Sequence, residues 1–279
     1  MSEKPPSDVP LPYADRPVAT APGHWVLARA GKRVLRPGGA ALTAAMLDHA
    51  RLPGSDVVEL APGLGRTAAE IVAARPASYT AIDRDPQAAA RVAAVVGDRG
   101  VVRQGEAADT GLDDACADVV VGEAMLTMQG DKSKAAIVAE AARVLRPGGR
   151  YAIHELGVAP DDIDEEYYTQ LRRDLARAIH VNARPMTAAA WRGLLEDAGL
   201  VVDWVDTAPM ALLKMSRNLR DEGPGGAARI MWNVMRDKAL RARVMEMRRT
   251  FTRYEKDMVG IALVAHKPEA APEEAAPGA

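Results

Sequence analysis

Two residue types are nearly missing from this 279-residue chain, which holds one cysteine, Cys116, and one phenylalanine, Phe251. A single thiol excludes an internal disulfide framework and a metal centre built from cysteine pairs. Aromatic residues make up 4% of the chain against 48% hydrophobic residues in all, so the core has to be assembled mainly from Ala, Val, Leu and Met. The same shortage leaves few ring faces on which an unstacked base could rest, and nucleic acid is not expected as a partner. Excess charge is missing too. The 36 Lys and Arg against 38 Asp and Glu leave a net charge of −2, too little to recruit a polyanion or an anionic membrane. No run of about 18 apolar residues occurs, so no membrane span is expected. The opening MSEKPPSDVPLPYADRP lacks the apolar stretch of a secretory signal, and a cytoplasmic protein is expected. The acidic run DDIDEE (161–166) has no histidine beside it, so no metal is expected there.

What is present alternates between strand and helix. DVVEL (56–60), ASYTAID (77–83), VVRQG (101–105), ADVVVGEA (117–124) and RYAIHEL (150–156) read as strands, the fourth apolar on both faces. Between the second and third, Asp85 is placed to cap a helix, Pro86 sits at its first position and Gly97 ends it. Ala89, Val92, Ala93 and Val96 would share one face of that helix. KAAIVAEAARVL (134–145) is a further helix. This spacing predicts an α/β fold, a Rossmann-like doubly wound sheet in three α/β/α layers. Beyond residue 160 come helical stretches at 160–181 and 187–199, a strand at 200–210, a Met- and Arg-rich helical stretch at 211–252 and a last strand at 257–268. Residues 1–20 and 268–279 read as flexible, disordered tails. Residues 21–267 then form a single domain with an N-terminal helical cap (21–52) and helical insertions (160–199, 211–252). The second insertion carries eleven Lys and Arg against four Asp and Glu over 211–253. That composition suits a solvated basic helix face or a mobile lid.

The heptapeptide RVLRPGG occurs twice, at 33–39 and 143–149. In each place it is expected to end a helix, since proline cannot continue one and glycine supplies the positive φ of the turn. Its flanks do not match, so it marks no duplicated domain, and no chemistry is expected of it.

The stretch VVELAPGLGRTA (57–68) is where a ligand is expected, because a glycine-rich turn from strand to helix lets backbone N–H groups approach one. Gly63 to Ala68 fit the dinucleotide pattern G-x-G-x-x-G/A, with Asp83 downstream for a ribose. Glu59-Leu60-Ala61-Pro62-Gly63-Leu64-Gly65 also resembles the E/D-x-G-x-G-x-G motif of class I S-adenosylmethionine-dependent methyltransferases. Four more segments appear in the order of that family, together covering about 55–156. They are YTAIDRD, RQGEA, DVVVGEA and EAARVLRPGGRYAIHE, the last containing the second heptapeptide. The resemblance is to the small-molecule, ubiquinone/menaquinone-methyltransferase-like type. Two positions depart from the pattern: Ala61 replaces the first glycine, and Glu106 stands where Asp is commoner.

The resemblance implies a seven-stranded sheet, mostly parallel with a late antiparallel strand. It also implies S-adenosylmethionine as cofactor, S-adenosylhomocysteine as its product, and a methyl acceptor of small size. By the same resemblance Ala61, Pro62, Gly63 and Gly65 wrap the methionine part, with Glu59 fixing the loop. Asp83, beside Arg84, takes the ribose hydroxyls. Glu106 and Ala107 read the adenine, and Gly122 and Glu123 meet the ammonium group. Catalytic candidates at the open end of the sheet are Glu123, His154 and Glu155, with His154 the best base near neutral pH. His24 and Trp25 in GHW are candidates to cap the cofactor from an N-terminal helix, with Trp25 equally suited to plain packing. A catalytically silent cofactor- or partner-binding protein and an NAD-dependent oxidoreductase stay open as alternatives, as does a homodimer.

Overall fold

In the computed structural model, residues 11, 16–213 and 215–269 are described. The expected tails lie mostly outside these residues. From residue 56 onward the apolar pattern swings between periods of two and of about 3.6, and the backbone follows it. The strands are β1 (Asp56–Leu60), β2 (Ser78–Asp83), β3 (Val101–Gln104), β4 (Ala117–Glu123), β5 (Leu145–Val158), β6 (Val201–Pro209) and β7 (Met258–His266). They form one sheet in the order β3-β2-β1-β4-β5-β7-β6. The first five run parallel, while β7 is antiparallel to both its neighbours, β5 and β6. This is the doubly wound, mostly parallel sheet that the sequence predicts.

The helices are α1 (Gly23–Arg29), α2 (Ala40–Ala50), α3 (Arg66–Ala73), α4 (Pro86–Val96), α5 (Asp131–Val144), α6 (Glu165–Ile179), α7 (Ala188–Glu196), α8 (Met215–Arg236) and α9 (Lys238–Arg253). Alternate strand residues feed two cores. Val57, Val119 and Val121 pack with Leu42 and Met46 of α2, Ile71 of α3 and Val92 of α4. Val58, Val120 and Ile153 pack with Ile137 and Ala141 of α5 and Trp191 of α7. Each such branched or aromatic side chain, once fully buried, contributes roughly 1.5–3 kcal/mol.

Two local expectations shift. In α4, Asp85 does cap the helix, accepting from the N–H groups of Gln87 (2.8 Å) and Ala88 (3.1 Å). Its buried stripe, however, is Ala88, Val92 and Val96, and Ala93 faces solvent. An alanine adds little to either face, so the valines decide the rotation. The 211–252 stretch is two helices, with Asp237 capping α9. Within α8 the helix is interrupted at Gly223, whose φ of +71° precedes Pro224.

The two heptapeptides behave differently, which corrects the expectation of one module used twice. The second copy does end a helix, α5 stopping at Val144, and Gly148 (φ +75°) turns the chain within the start of β5. The first ends none, since α1 stops at Arg29. Residues 33–39 run instead as a strap across the sheet and lead into α2, with Gly39 (φ +80°) at its N-terminus. The strap lies so close to β7 that a Cβ on Gly260 would sit 2.0 Å from the Gly38 nitrogen. Arg217 of α8 holds it from the far side, donating to the Gly38 carbonyl at 2.6 Å.

Candidate active site

After Leu60 the backbone turns left-handed three times in five residues, at Ala61 (φ +51°), Gly63 (+58°) and Gly65 (+73°). Ala61 holds this conformation despite its methyl group, at a cost of about 1–2 kcal/mol. The turn is tied down by Ala61 N–H donating to the Ile82 carbonyl (2.8 Å) and Gly65 N–H to that of Pro62 (3.0 Å). Space is open around Gly63, where an added Cβ would meet only the Ala61 oxygen, at 3.9 Å. Asp83, at the end of β2, accepts from Gly63 N–H (3.2 Å) and Asp85 N–H (3.0 Å). Burial pushes its carboxyl upward, against those two bonds.

The turn floors a cavity of about 490 Å³ at the C-terminal ends of the parallel strands, within the size range of small-molecule sites. Asp83, Arg84, Glu106 and Ala107 line one side; Met125, Met128 and Gln129 line another. His24, Trp25, Leu35 and Arg36 close it from the N-terminal segment.

Glu123, at the end of β4, is the hub of a buried network. Its Oε1 receives the Thr43 hydroxyl and lies 2.8 Å from His154 Nδ1. Its Oε2 receives the Thr67 hydroxyl and lies 3.0 Å from Arg36 Nε. Burial alone would raise this carboxyl, but the Arg36 charge, with His154 and Thr43, outweighs it and holds Glu123 down to about 2. Arg36 also pairs with Glu70 at 3.0 Å. Glu59 has the opposite fate. Buried and bonded to the Tyr79 hydroxyl (2.5 Å), it is pushed up to about 8, chiefly by desolvation and further by Glu123. The floor thus gathers three buried carboxyls, Glu59, Asp83 and Glu123, of which only Glu123 has a direct cationic partner. A cationic ligand with hydroxyl donors suits that set.

Residues 58–153 match a family model described as a methyltransferase domain. That stretch runs from β1 into β5 and resembles methyltransferase domains over about a third of the chain. Over 251 residues it is 29% identical to an uncharacterized protein of Haemophilus influenzae, covering 88% of this chain and 98% of that one. It superposes on phosphoethanolamine N-methyltransferase 2 of Haemonchus contortus in complex with S-adenosyl-L-methionine. The TM-score is 0.68 at 14% identity, over 92% of this chain and 59% of that one. A protein of Galdieria sulphuraria assigned as a sarcosine dimethylglycine methyltransferase gives a TM-score of 0.62 at 15% identity, over 81% and 83%. At such identities the likeness is one of fold.

Within the matched stretch, Glu59, Ala61, Pro62, Gly63, Asp83, Arg84, Glu106, Ala107 and Glu123 all line the cavity. Two expected residues do not. Gly65 lies behind the turn, with Val92 and Val95 of α4 against it, and Gly122 is buried in β4 beside the Tyr151 ring. Glu59 is bonded to Tyr79 rather than to the loop it was expected to fix.

The acceptor side needs a larger correction. His154 is fully buried and does not line the cavity. Its Nε2 accepts from Gly38 N–H at 2.9 Å, which puts the ring proton on Nδ1, toward Glu123 and the Thr43 hydroxyl (3.0 Å). With both nitrogens engaged it has no site left for an acceptor's proton, and it serves to pin the strap. Glu155 points to the other sheet face, as strand alternation requires. Its oxygens take the N–H groups of Met125, Leu126 and Thr127 and the Thr127 hydroxyl, at 2.7–3.0 Å. It shapes the loop after β4. Glu123 does face the cavity, but a carboxyl held near 2 and bonded at both oxygens is a poor base.

Arg36, Thr43 and Thr67 were not singled out from the sequence. Arg36 lies inside the first heptapeptide, read as a helix stop, and only the fold shows that the strap carries it to the strand ends. Among the described residues no group of three or more His, Cys, Asp or Glu could hold a metal ion, and no helix is long and apolar enough to cross a membrane.

Proposed function

We propose that the protein transfers the methyl group of S-adenosylmethionine to a small-molecule acceptor. The observation that carries this reading is a left-handed turn open to a ligand, beside two buried carboxyls, Glu59 and Asp83, with no direct cationic partner among the described residues. Asp83 is an acceptor-only group suited to two ribose hydroxyls. Glu106 and the Ala107 N–H, on the cavity wall, offer an acceptor and a donor to an adenine edge, and Glu59 is a buried acid that an ammonium group would ionise. The cofactor supplies a methyl carbon activated by a sulfonium. The protein's own part is to fix the two reactants in line and to exclude water. The N-terminal segment does the excluding: Trp25, Leu35 and Arg36 lie across the cavity, and Arg36 is locked to the floor through Glu123.

Calorimetric titration with S-adenosylmethionine, S-adenosylhomocysteine and NAD tests this. Heat is expected with the first two and none with the third. Turnover of a labelled methyl donor against a metabolite panel then separates catalysis from binding alone. A protein that binds neither sulfur nucleoside, or that prefers NAD, overturns the reading.

A further inference from the structure

Beyond the main cavity lies a second chamber of about 110 Å³, which shares His24, Leu35, Ala124 and Met128 with it. Its other walls come largely from outside the matched region: Leu27 of α1, Leu175 and Ile179 of α6, Met247 and Phe251 of α9. Polar side chains reach it at three places, His24, Thr127 and Glu155. Both Glu155 oxygens are occupied, as described. The Thr127 hydroxyl donates to one of them at 2.7 Å and receives Leu156 N–H at 3.2 Å. His24 differs. Among the described residues nothing hydrogen-bonds its ring, whose contact is with the Trp25 ring, centroids 4.9 Å apart. It is the one polar side chain at the chamber left free to meet a ligand. No Lys or Arg lines the chamber, so a carboxylate or phosphate has no counter-charge there. An ammonium group fares no better, since the one carboxyl is fully bonded. Desolvation pushes His24 down to about 4, which leaves the ring an acceptor at neutral pH.

We propose that this chamber seats the apolar body of an uncharged hydroxyl compound, and that His24 takes first its hydrogen bond and then its proton. The inference rests on the methyl-transfer reading above. A lone pair of the acceptor oxygen forms the new O–CH3 bond, and the S–CH3 bond breaks with its electron pair staying on sulfur. The O–H proton passes to the free nitrogen of His24 and on to water. His24 is then a catalytic residue in the place first given to His154.

The test uses the full chain saturated with S-adenosylhomocysteine, titrated calorimetrically with 4-alkylphenols of increasing chain length and with the matching 4-alkylanisoles. Affinity is expected to rise about three- to fourfold per methylene over the first carbons and then level off, as about 0.8 kcal/mol per buried CH2 implies. Each phenol should bind about two- to tenfold tighter than its methyl ether, the range for one hydrogen bond. His24→Ala should erase that preference while keeping the chain-length slope. His24→Gln, which restores an acceptor, should recover part of it. With labelled donor, the kcat of His24→Ala on the best phenol should fall at least about tenfold, less than a base matched to the working pH would lose. No dependence on chain length, or a phenol preference that survives His24→Ala, overturns the proposal. Failure of the wild type to load S-adenosylhomocysteine is seen before any phenol is added, and it overturns the methyl-transfer reading itself.

Discussion

Arg36→Met should cost the protein about 3–5 kcal/mol at pH 7, the usual result of stripping one partner from a buried ion pair. Glu123 stands near 2 against an ordinary value near 4.3, and about two pKa units at about 1.4 kcal/mol each give about 3 kcal/mol for Arg36, His154 and Thr43 together, Arg36 leading. The side chains are 3% and 7% exposed, so solvent screens little of this. A depressed carboxyl stabilises the fold at pH values above its unfolded pKa, and that stability drains away as pH falls toward 2. Without Arg36, burial takes over and Glu123 gains its proton well above pH 4. The gap between wild type and variant should therefore narrow by about 2 kcal/mol between pH 7 and pH 3. Urea denaturation at the two pH values measures it. Replacing both partners, Arg36→Met with Glu123→Gln, should cost less than Arg36→Met alone, because no charge is then stranded. A gap that is equal at both pH values, or below about 1 kcal/mol at pH 7, would refute the electrostatic argument.

Three further outcomes follow from the site. Asp83→Ala should weaken S-adenosylhomocysteine binding by about 10–100-fold per charge-assisted hydrogen bond lost, with an unchanged circular dichroism spectrum; calorimetry reads the affinity. Glu59 is protonated below about 8, so binding a cation beside it should release up to one proton. S-adenosylmethionine affinity should then climb with pH and flatten above 8, with Glu59→Gln removing the slope; titrations in buffers of different ionisation enthalpy count the proton. His154→Ala should destabilise the fold by about 1–3 kcal/mol, since it leaves Gly38 N–H without its partner and takes one of four from Glu123. It should also speed hydrogen exchange at the Gly38 amide while cofactor affinity stays within a few-fold.

The strands were legible because their signal is local. DVVEL is a short apolar run and ADVVVGEA is apolar on both faces, which only an interior strand of a covered sheet accepts. Asp85, Pro86 and Gly97 announced α4 at both ends for the same reason. The rotation of α4 was not legible, because alanines at 89 and 93 fit a buried stripe and an exposed face equally. The cofactor turn showed itself through glycine spacing, which backbone geometry dictates. His154 misled because its place in β5 says where its Cα lies but nothing of what covers it. The cover is Gly38, 116 residues earlier. Arg36 gave no signal at all: identical heptapeptides became a strap in one place and a helix end in the other, so tertiary contacts chose between them. His24 was read as a cap over the cofactor, and its position on the second chamber follows from α6 and α9, whose packing no short motif encodes.

The order in which the sheet is laid down has its own bearing on biosynthesis. The last strand among the described residues, β7, is an interior one, lodged between β5 and β6. While residues 258–266 are still inside the ribosome, β6 has no neighbour to pair with and the flank of β5 is bare. The five parallel strands and their glycine turn can already be aligned at that moment. The glycine turn of a growing polypeptide can therefore stand in place before β5 gains β7, its second neighbour.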